Sequence, residues 1–254
     1  MNMADNSGFA EALDRHFPGA ILEAEFIAGT AQRLGEEGFS KANTIACVAL
    51  CRDEITRPLF TDVERFWGPA FSFAGLAGMV TAGRTGLAAA IHHAPIEDAR
   101  RRFVIYAMAH IAIDADGTIG RIERPGIPEP SSACGALVAF RDELRAGTLE
   151  VEFDRYDTEQ SLLKHRLLPL IKYGNVPDLV DLTKLTVAAI EEDLHEILRS
   201  LADGWRATGH VMPADMAIFG GVQIHGANGV NFVWPLSARI ELDGDLRDYR
   251  FTAR

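Results

Sequence analysis

The chain has 254 residues, 48% of them hydrophobic and 24% charged, a composition that suits a globular domain with a substantial buried core. Its 25 basic and 36 acidic residues give a net charge of −11, so a nucleic-acid or anionic-membrane surface is not expected. Apolar runs of only about ten residues are too short to cross a bilayer. The N-terminus lacks the regions of a signal peptide, and three cysteines suggest no disulfide framework, so we expect a cytoplasmic protein.

The predicted elements alternate between helices and strands. Residues 8–34 predict two helices broken at Pro18-Gly19, and an unbroken apolar run predicts a buried strand over 43–51. Asp53 is suited to cap a helix over about 54–66, whereas the glycine-rich stretch 70–94 predicts a loop, a short strand and a turn. The remaining pattern predicts a strand over 102–113, a turn at 114–117, a returning hairpin strand at 119–123, a loop over 125–132, helices over 134–146, 157–172 and 177–202, and strands over 216–225 and 231–242.

Two cysteines and one histidine form a candidate metal site. Cys51 ends the first predicted strand, and Cys134 opens a predicted helix, where unpaired amides and the helix dipole stabilise a thiolate. His110 lies inside the apolar strand 102–113. Two thiolates and one imidazole would leave one position of a tetrahedral zinc ion open, as catalysis requires. Each residue also has a structural explanation, as a core cysteine, a helix-cap residue and a hydrogen-bonded core histidine.

Other residues compete for functional roles. Cys47, in the middle of a strand, is better explained as a core residue. His92 and His93 could ligate metal or bind substrate at the rim of the site. The acidic segment 114–117 predicts a turn and not a calcium loop, because the twelfth position counted from Asp114 is Pro125 where a closing glutamate is required.

Six short motifs lie between about residues 40 and 140: Cys51-Arg-Asp-Glu54, Trp67-Gly-Pro-Ala-Phe71, Leu76-Ala-Gly-Met79, His92-His-Ala-Pro95, Ala109-His-Ile-Ala-Ile-Asp114 and Ala133-Cys-Gly-Ala-Leu137. Together they resemble the limiting-carbon-dioxide-inducible protein B/C (LCIB/LCIC) family, whose members look like divergent β-type, or θ-class, carbonic anhydrases. The resemblance implies an α/β fold with a mostly parallel central sheet flanked by helices, and with extra C-terminal strands. We expect a single α/β domain over 1–254, with an N-terminal helical segment (1–40) before a carbonic-anhydrase-like core (41–254).

The resemblance also implies a set of site residues. Zinc (Zn2+) would be held by Cys51, His110 and Cys134, and an aspartate–arginine pair would lie beside it. Asp53 fills the acidic place of this pair. Ordinary β-carbonic anhydrases follow the pattern Cys-x-Asp-x-Arg, but position 55 is Ile in this chain. The arginine must therefore come from elsewhere, and the order of expectation is Arg84, Arg52 and Arg57.

The activity implied by the resemblance is reversible hydration of carbon dioxide to bicarbonate by a zinc-bound hydroxide, in a protein that forms a homodimer. Asp53 would either orient the hydroxide or occupy the fourth zinc position itself, and His92 and His93 would lie near the substrate. Two alternatives stay open. One is a catalytically silent, zinc-stabilised bicarbonate-binding or partner subunit, and the other is a zinc hydrolase of another substrate that uses His92 or His93 as its general acid.

Overall fold

The computed structural model describes residues 7–98, 100–172, 174–207 and 214–248. The strands within these ranges alternate with helices along the chain, as the hydrophobic pattern predicts. They are β1 (Ile21–Leu22), β2 (Thr44–Ala49), β3 (Phe71–Ser72), β4 (Arg101–Ala112), β5 (Arg121–Ile122), β6 (Ser131–Ser132), β7 (Ala214–His225), β8 (Asn231–Leu242) and β9 (Asp245–Asp248).

The helices provide the two outer layers. In most of them the apolar side chains recur at helical spacing, and this spacing places the buried residues on the side that faces the core. The helices are α1 (Ser7–His16), α2 (Glu23–Glu36), α3 (Arg57–Trp67), α4 (Gly83–His93), α5 (Gly135–Ala146), α6 (Thr158–Leu167) and α7 (Leu179–Ala207). Short 3₁₀ helices lie at Glu54–Thr56, Leu76–Gly78, Leu168–Leu170 and Ala227–Gly229.

The central sheet has seven strands in the order β1-β8-β7-β4-β2-β3, with β9 also paired to β8. Strands β3, β2, β4 and β7 are parallel, and β8 joins β7, β1 and β9 in antiparallel pairs. The α/β class, the mostly parallel sheet and the extra C-terminal strands predicted from the sequence are therefore confirmed. The carboxyl ends of β2, β4 and β7 lie at one edge of the sheet, where α/β proteins of this kind place their ligands.

Both faces of the sheet are covered. One face packs against α2 and α3, where Phe26, Leu59 and Tyr106 belong to the same buried cluster. The other face packs against α7 and α4, and the buried cluster on this side also includes residues of α1, α5 and α6. Strand β4 lies between these layers and is buried from residue 103 to its end, which explains its unbroken apolar sequence. No helix in the described ranges is long and apolar enough to span a membrane.

The expectation of a loop, a strand and a turn over 70–94 is wrong for its second half, because residues 83–93 form α4. The two glycines of this helix lie in its first turn, and the alanine-rich run that follows has high helix propensity. Leu87, Ala90 and Ile91 are buried in the core on this side of the sheet. The buried contacts and the helix propensity of the alanines stabilise this helix more than its two glycines destabilise it.

The predicted hairpin over 119–123 is also only partly correct. Its pairing with the preceding strand is a single bridge between Ile113 and Ile119. Residues 121–122 instead pair with β6, the last two residues of the stretch that was predicted to be loop. The helix predicted over 157–172 ends as an α-helix at Leu167 and continues as one 3₁₀ turn, because Pro169 has no amide hydrogen to donate.

Candidate metal centre

The three predicted metal ligands meet at the carboxyl edge of the parallel strands. Cys51 lies two residues after β2, His110 lies near the end of β4, and Cys134 is the N-cap residue of α5. Their potential ligand atoms all lie within 4.8 Å of one another. The two sulfur atoms are 3.9 Å apart. Residues separated by up to 83 positions in the sequence therefore form one compact donor set.

All three side chains are buried: Cys51 is 6% exposed, Cys134 1% and His110 0%. Burial of polar groups is unfavourable unless they are paired. Neither ring nitrogen of His110 makes a hydrogen bond within the described part of the chain. A buried imidazole with both nitrogens unpaired, beside two sulfurs, fits a metal ligand better than a hydrogen-bonded core histidine.

A hydrogen bond links the two cysteine sulfurs. The pKa of Cys51 is lowered to about 4, first because the Cys134 thiol donates a hydrogen bond to its sulfur and then because the His110 ring lies beside it, although burial opposes the shift. The pKa of Cys134 is raised because its proton is held by the Cys51 thiolate and because the side chain is buried. The amides of Ala136 and Leu137, in the first turn of α5, act in the opposite direction on Cys134. These opposite shifts favour the thiolate at Cys51, and the thiolate is the form in which a cysteine binds a cation.

The acidic residue beside the site is held by an arginine. Asp53 receives two hydrogen bonds from Arg124, Nη1 to Oδ1 at 3.0 Å and Nη2 to Oδ2 at 2.9 Å. Such a bidentate pair fixes the plane of the carboxylate. Burial alone would raise the pKa of Asp53, but the hydrogen bonds from Arg124 and the adjacent positive charge keep this pKa below its usual value. Asp53 is therefore ionised. Arg124 is held in place by a second contact, a hydrogen bond from its Nε to the Ser131 hydroxyl oxygen at 2.6 Å.

The expected arginine partners of Asp53 lie elsewhere, which corrects that part of the sequence analysis. Arg84 is on α4, where its guanidinium donates to the Ser200 hydroxyl on α7 at 3.3 Å. Arg52 pairs with Glu159 on α6. Arg57, the third expectation, is exposed at the start of α3.

One signal in the sequence does point to Arg124. The segment between His110 and Cys134 connects two predicted ligands, and it contains only two arginines, 121 and 124. Arg124 follows a short strand-like pair and precedes Pro125, so it lies where the chain turns back toward Cys134. The position of Arg124 between two predicted ligands therefore distinguishes it from Arg84, which lies in the glycine-rich stretch 70–94.

His92 and His93 lie in the last turn of α4, and both side chains are exposed. The His93 ring packs near Phe71, with 5.9 Å between the ring centroids. Neither belongs to the group of potential ligand atoms around Cys51. Their assignment to substrate binding stays a prediction.

A second layer of buried polar residues, which the sequence pattern did not predict, lies behind His110. Gln223 is the partner of His110 in the β4–β7 register, and its amide donates a hydrogen bond to Glu23 Oε2 at 2.7 Å. The His225 ring lies against His110 with 5.3 Å between centroids, and its Nδ1 lies 3.1 Å from Asn231 Oδ1. Burial lowers the pKa of His225 to about 3, so this imidazole is neutral.

The sheet topology and the buried Cys-His-Cys group define a mixed α/β protein with a possible metal centre at the carboxyl edge of its parallel strands. The model of the family of limiting CO2-inducible proteins B/C β-carbonic anhydrases matches residues 20–241. The chain belongs to this family, as its short motifs predict.

Solved structures of family members agree with this assignment. The crystal structure of the limiting CO2-inducible protein LCIB has a TM-score of 0.75 at 29% identity, over 94% of this chain and 97% of that chain. The crystal structure of the H88A mutant of PtLCIB4, a homologue of LCIB, has a TM-score of 0.80 at 25% identity, over 95% and 98% of the two chains. PtLCIB4 without this mutation gives a TM-score of 0.78 at 26% identity, over 94% and 98%. A search of curated protein sequences found no match.

Proposed function

We propose that this protein is a zinc-dependent carbonic anhydrase that hydrates carbon dioxide reversibly to bicarbonate. The observation that carries the proposal is the buried group of Cys51, His110 and Cys134, whose ligand atoms lie within 4.8 Å of one another beside the ion-paired Asp53. Membership of a family described as β-carbonic anhydrases supports the choice of reaction.

The donor set fits zinc. Two sulfurs and one imidazole nitrogen are soft and borderline ligands of the kind found in Zn2+ sites, and three protein ligands leave one coordination position for a small molecule. When bound in such a site, zinc acidifies a coordinated water and so makes a nucleophile available near neutral pH. The chain contributes the negative charge of the thiolates and one imidazole nitrogen. Burial of the group excludes bulk water from its surroundings.

In the proposed mechanism Asp53 accepts a hydrogen bond from the group that fills the open position. Its two oxygens are held by Arg124, and its carboxylate is not among the described ligand atoms gathered within 4.8 Å. These contacts support the first of its two predicted roles, orientation of the nucleophile, over direct occupation of the metal. Arg124 then acts as the residue that keeps the Asp53 carboxylate away from the cation and ionised.

The proposal is tested on the purified, zinc-loaded protein. We expect one zinc per chain by elemental analysis and carbon dioxide hydration in a stopped-flow assay. His110→Ala should lose both, because one of three ligands is removed. His195→Ala is the matched control, since His195 is an exposed histidine on α7, and it should keep both properties. Zinc and hydration activity retained in His110→Ala would contradict the proposal.

The two alternatives give different results in the same assays. A protein that binds one zinc per chain but hydrates no carbon dioxide would be the silent, zinc-stabilised subunit. Hydrolysis of a panel of esters without hydration of carbon dioxide would indicate the zinc hydrolase. The homodimer and the cytoplasmic location stay predictions.

A further inference from the structure

The backbone segment 75–79 lies directly over Cys51. The amide of Ala77 donates a hydrogen bond to the Cys51 sulfur at 3.2 Å. Amide hydrogen bonds to a thiolate delocalise its charge and fix the direction of its lone pairs, and both effects tune a metal ligand. The position of this single amide therefore bears on how Cys51 presents its sulfur to a cation.

Ala77 holds an unfavourable conformation to make this contact. Its φ of 56° and ψ of 12° lie in the left-handed region, which is unfavourable for a residue with a β-carbon. The next residue, Gly78, lies so close to β4 that a β-carbon there would be 2.3 Å from the Met108 carbonyl oxygen. A strained segment of this kind persists only where its surroundings impose it.

Glu159, in the first turn of α6, supplies such a constraint. Its Oε2 accepts a hydrogen bond from the Leu76 amide at 2.9 Å, one residue before Ala77. The same carboxylate accepts hydrogen bonds from Nε of Arg52 at 2.8 and 2.9 Å, one residue after Cys51. The hydrogen bonds from Arg52 hold the pKa of Glu159 below its usual value, so the carboxylate is charged.

One side chain thus connects the two chain segments that meet at the Cys51 sulfur. We propose that Glu159 is a positioning residue for the metal site: it holds the Leu76–Ala77 peptide and Arg52 so that the Ala77 amide orients the Cys51 sulfur. This inference rests on the proposed zinc site. It assigns a role to the Arg52–Glu159 ion pair, which lies outside the three ligands and the Asp53–Arg124 pair.

The test measures zinc affinity and the exchange of the Ala77 amide hydrogen. Glu159→Ala removes both acceptors, and we expect zinc affinity, measured by competition with a chromophoric chelator, to fall about tenfold or more. Ala77 amide exchange, followed by NMR in the zinc-free protein, should accelerate. Glu159→Gln keeps an oxygen for the Leu76 amide, so it should lie between the wild type and Glu159→Ala in both measurements. The thiolate-to-metal charge-transfer band of the cobalt-substituted variants should shift in the same order.

The matched control is Glu192→Gln. Glu192 lies on α7 and forms an ion pair at 3.0 Å with Arg166 of α6, the helix that also carries Glu159. This variant should leave zinc affinity and Ala77 exchange unchanged. Unchanged zinc affinity in both Glu159 variants would overturn the inference. Equal acceleration of exchange at Ala77 and at the buried Val187 would overturn it too, because it would indicate general destabilisation. If Glu159→Ala does not fold, Glu159→Gln decides alone.

These results separate the inference from the proposed function. A wild-type protein that binds zinc without hydrating carbon dioxide would contradict the proposed carbonic anhydrase activity. The zinc affinity of the Glu159 variants would still test the positioning role. Should the wild type bind no zinc, exchange at Ala77 in the metal-free variants would still confirm or refute the constraint by Glu159.

Discussion

Glu23 should make the protein less stable as the pH rises, and Glu23→Gln should remove this dependence. The side chain is only 4% exposed, and burial, with a smaller contribution from the negative charge of Asp62, raises its pKa from 4.5 to about 7. Hydrogen bonds from Gln223 and Asn231 oppose the shift without cancelling it. The folded state therefore keeps a proton that the unfolded chain releases.

The magnitude follows from these two pKa values. Each tenfold change in a protonation equilibrium corresponds to about 1.4 kcal/mol, so the difference between 4.5 and about 7 corresponds to about 3 kcal/mol of unfolding free energy. Below pH 4.5 Glu23 is protonated in both states and causes no loss. As the pH rises from 4.5 to about 7, the unfolded state ionises first and stability falls. Above about pH 7 the loss is complete.

The assay is urea denaturation of the zinc-loaded wild type and Glu23→Gln from pH 4 to 8. Since glutamine cannot ionise, the stability of the variant relative to the wild type should rise by about 3 kcal/mol across this range. Glu25→Gln, at an exposed position in the same helical turn, is the control, and its difference should stay within about 0.5 kcal/mol. A flat difference for Glu23→Gln would refute the assignment of a protonated, buried carboxyl group.

Three further substitutions test contacts in the site and the core. Arg124→Lys keeps the charge but loses the bidentate geometry on Asp53, so kcat/KM for carbon dioxide hydration should fall about tenfold or more; an unchanged value would contradict the role of this pair. Gly78→Ala would place a β-carbon 2.3 Å from a carbonyl oxygen of β4 at a φ of 90°, and we expect a loss of about 2 kcal/mol or more in thermal unfolding. Tyr106→Phe removes the hydroxyl that accepts from Trp67 Nε1 at 3.2 Å, and a loss of about 1–3 kcal/mol should follow by urea denaturation, whereas unchanged stability would show that the buried indole does not need this acceptor.

The sequence predicted the parts of the structure that depend on local pattern. The apolar runs identified β2, β4, β7 and β8, and the leucine spacing identified α7, because each pattern reports burial at a fixed period. Placement at a strand end and at a helix start also predicted where Cys51 and Cys134 would lie. These are properties of a segment and its immediate neighbours.

The parts that the sequence did not predict depend on contacts between distant segments. Arg124 is 71 residues from Asp53, and their pairing follows from the path of a loop whose pattern carries no period. Glu23 is an acidic residue at the start of a helix, a position that is ordinarily exposed, and it is buried where it meets Gln223 of β7. Helix α4 was not predicted because its stability comes from a face buried in the core, whereas its two glycines are typical of turns.

The short strands that flank β8 have a consequence for how copies of the chain could associate. β1 pairs with Phe232 and Val233, and β9 pairs with residues 239–242, so both ends of this long strand are covered. The interval between them contains Pro235, which has no amide hydrogen to offer an incoming strand. The opposite border of the described sheet is the two-residue strand β3. The edges of the described sheet are therefore strands of only two to four residues, and such short edges disfavour edge-to-edge aggregation by backbone pairing.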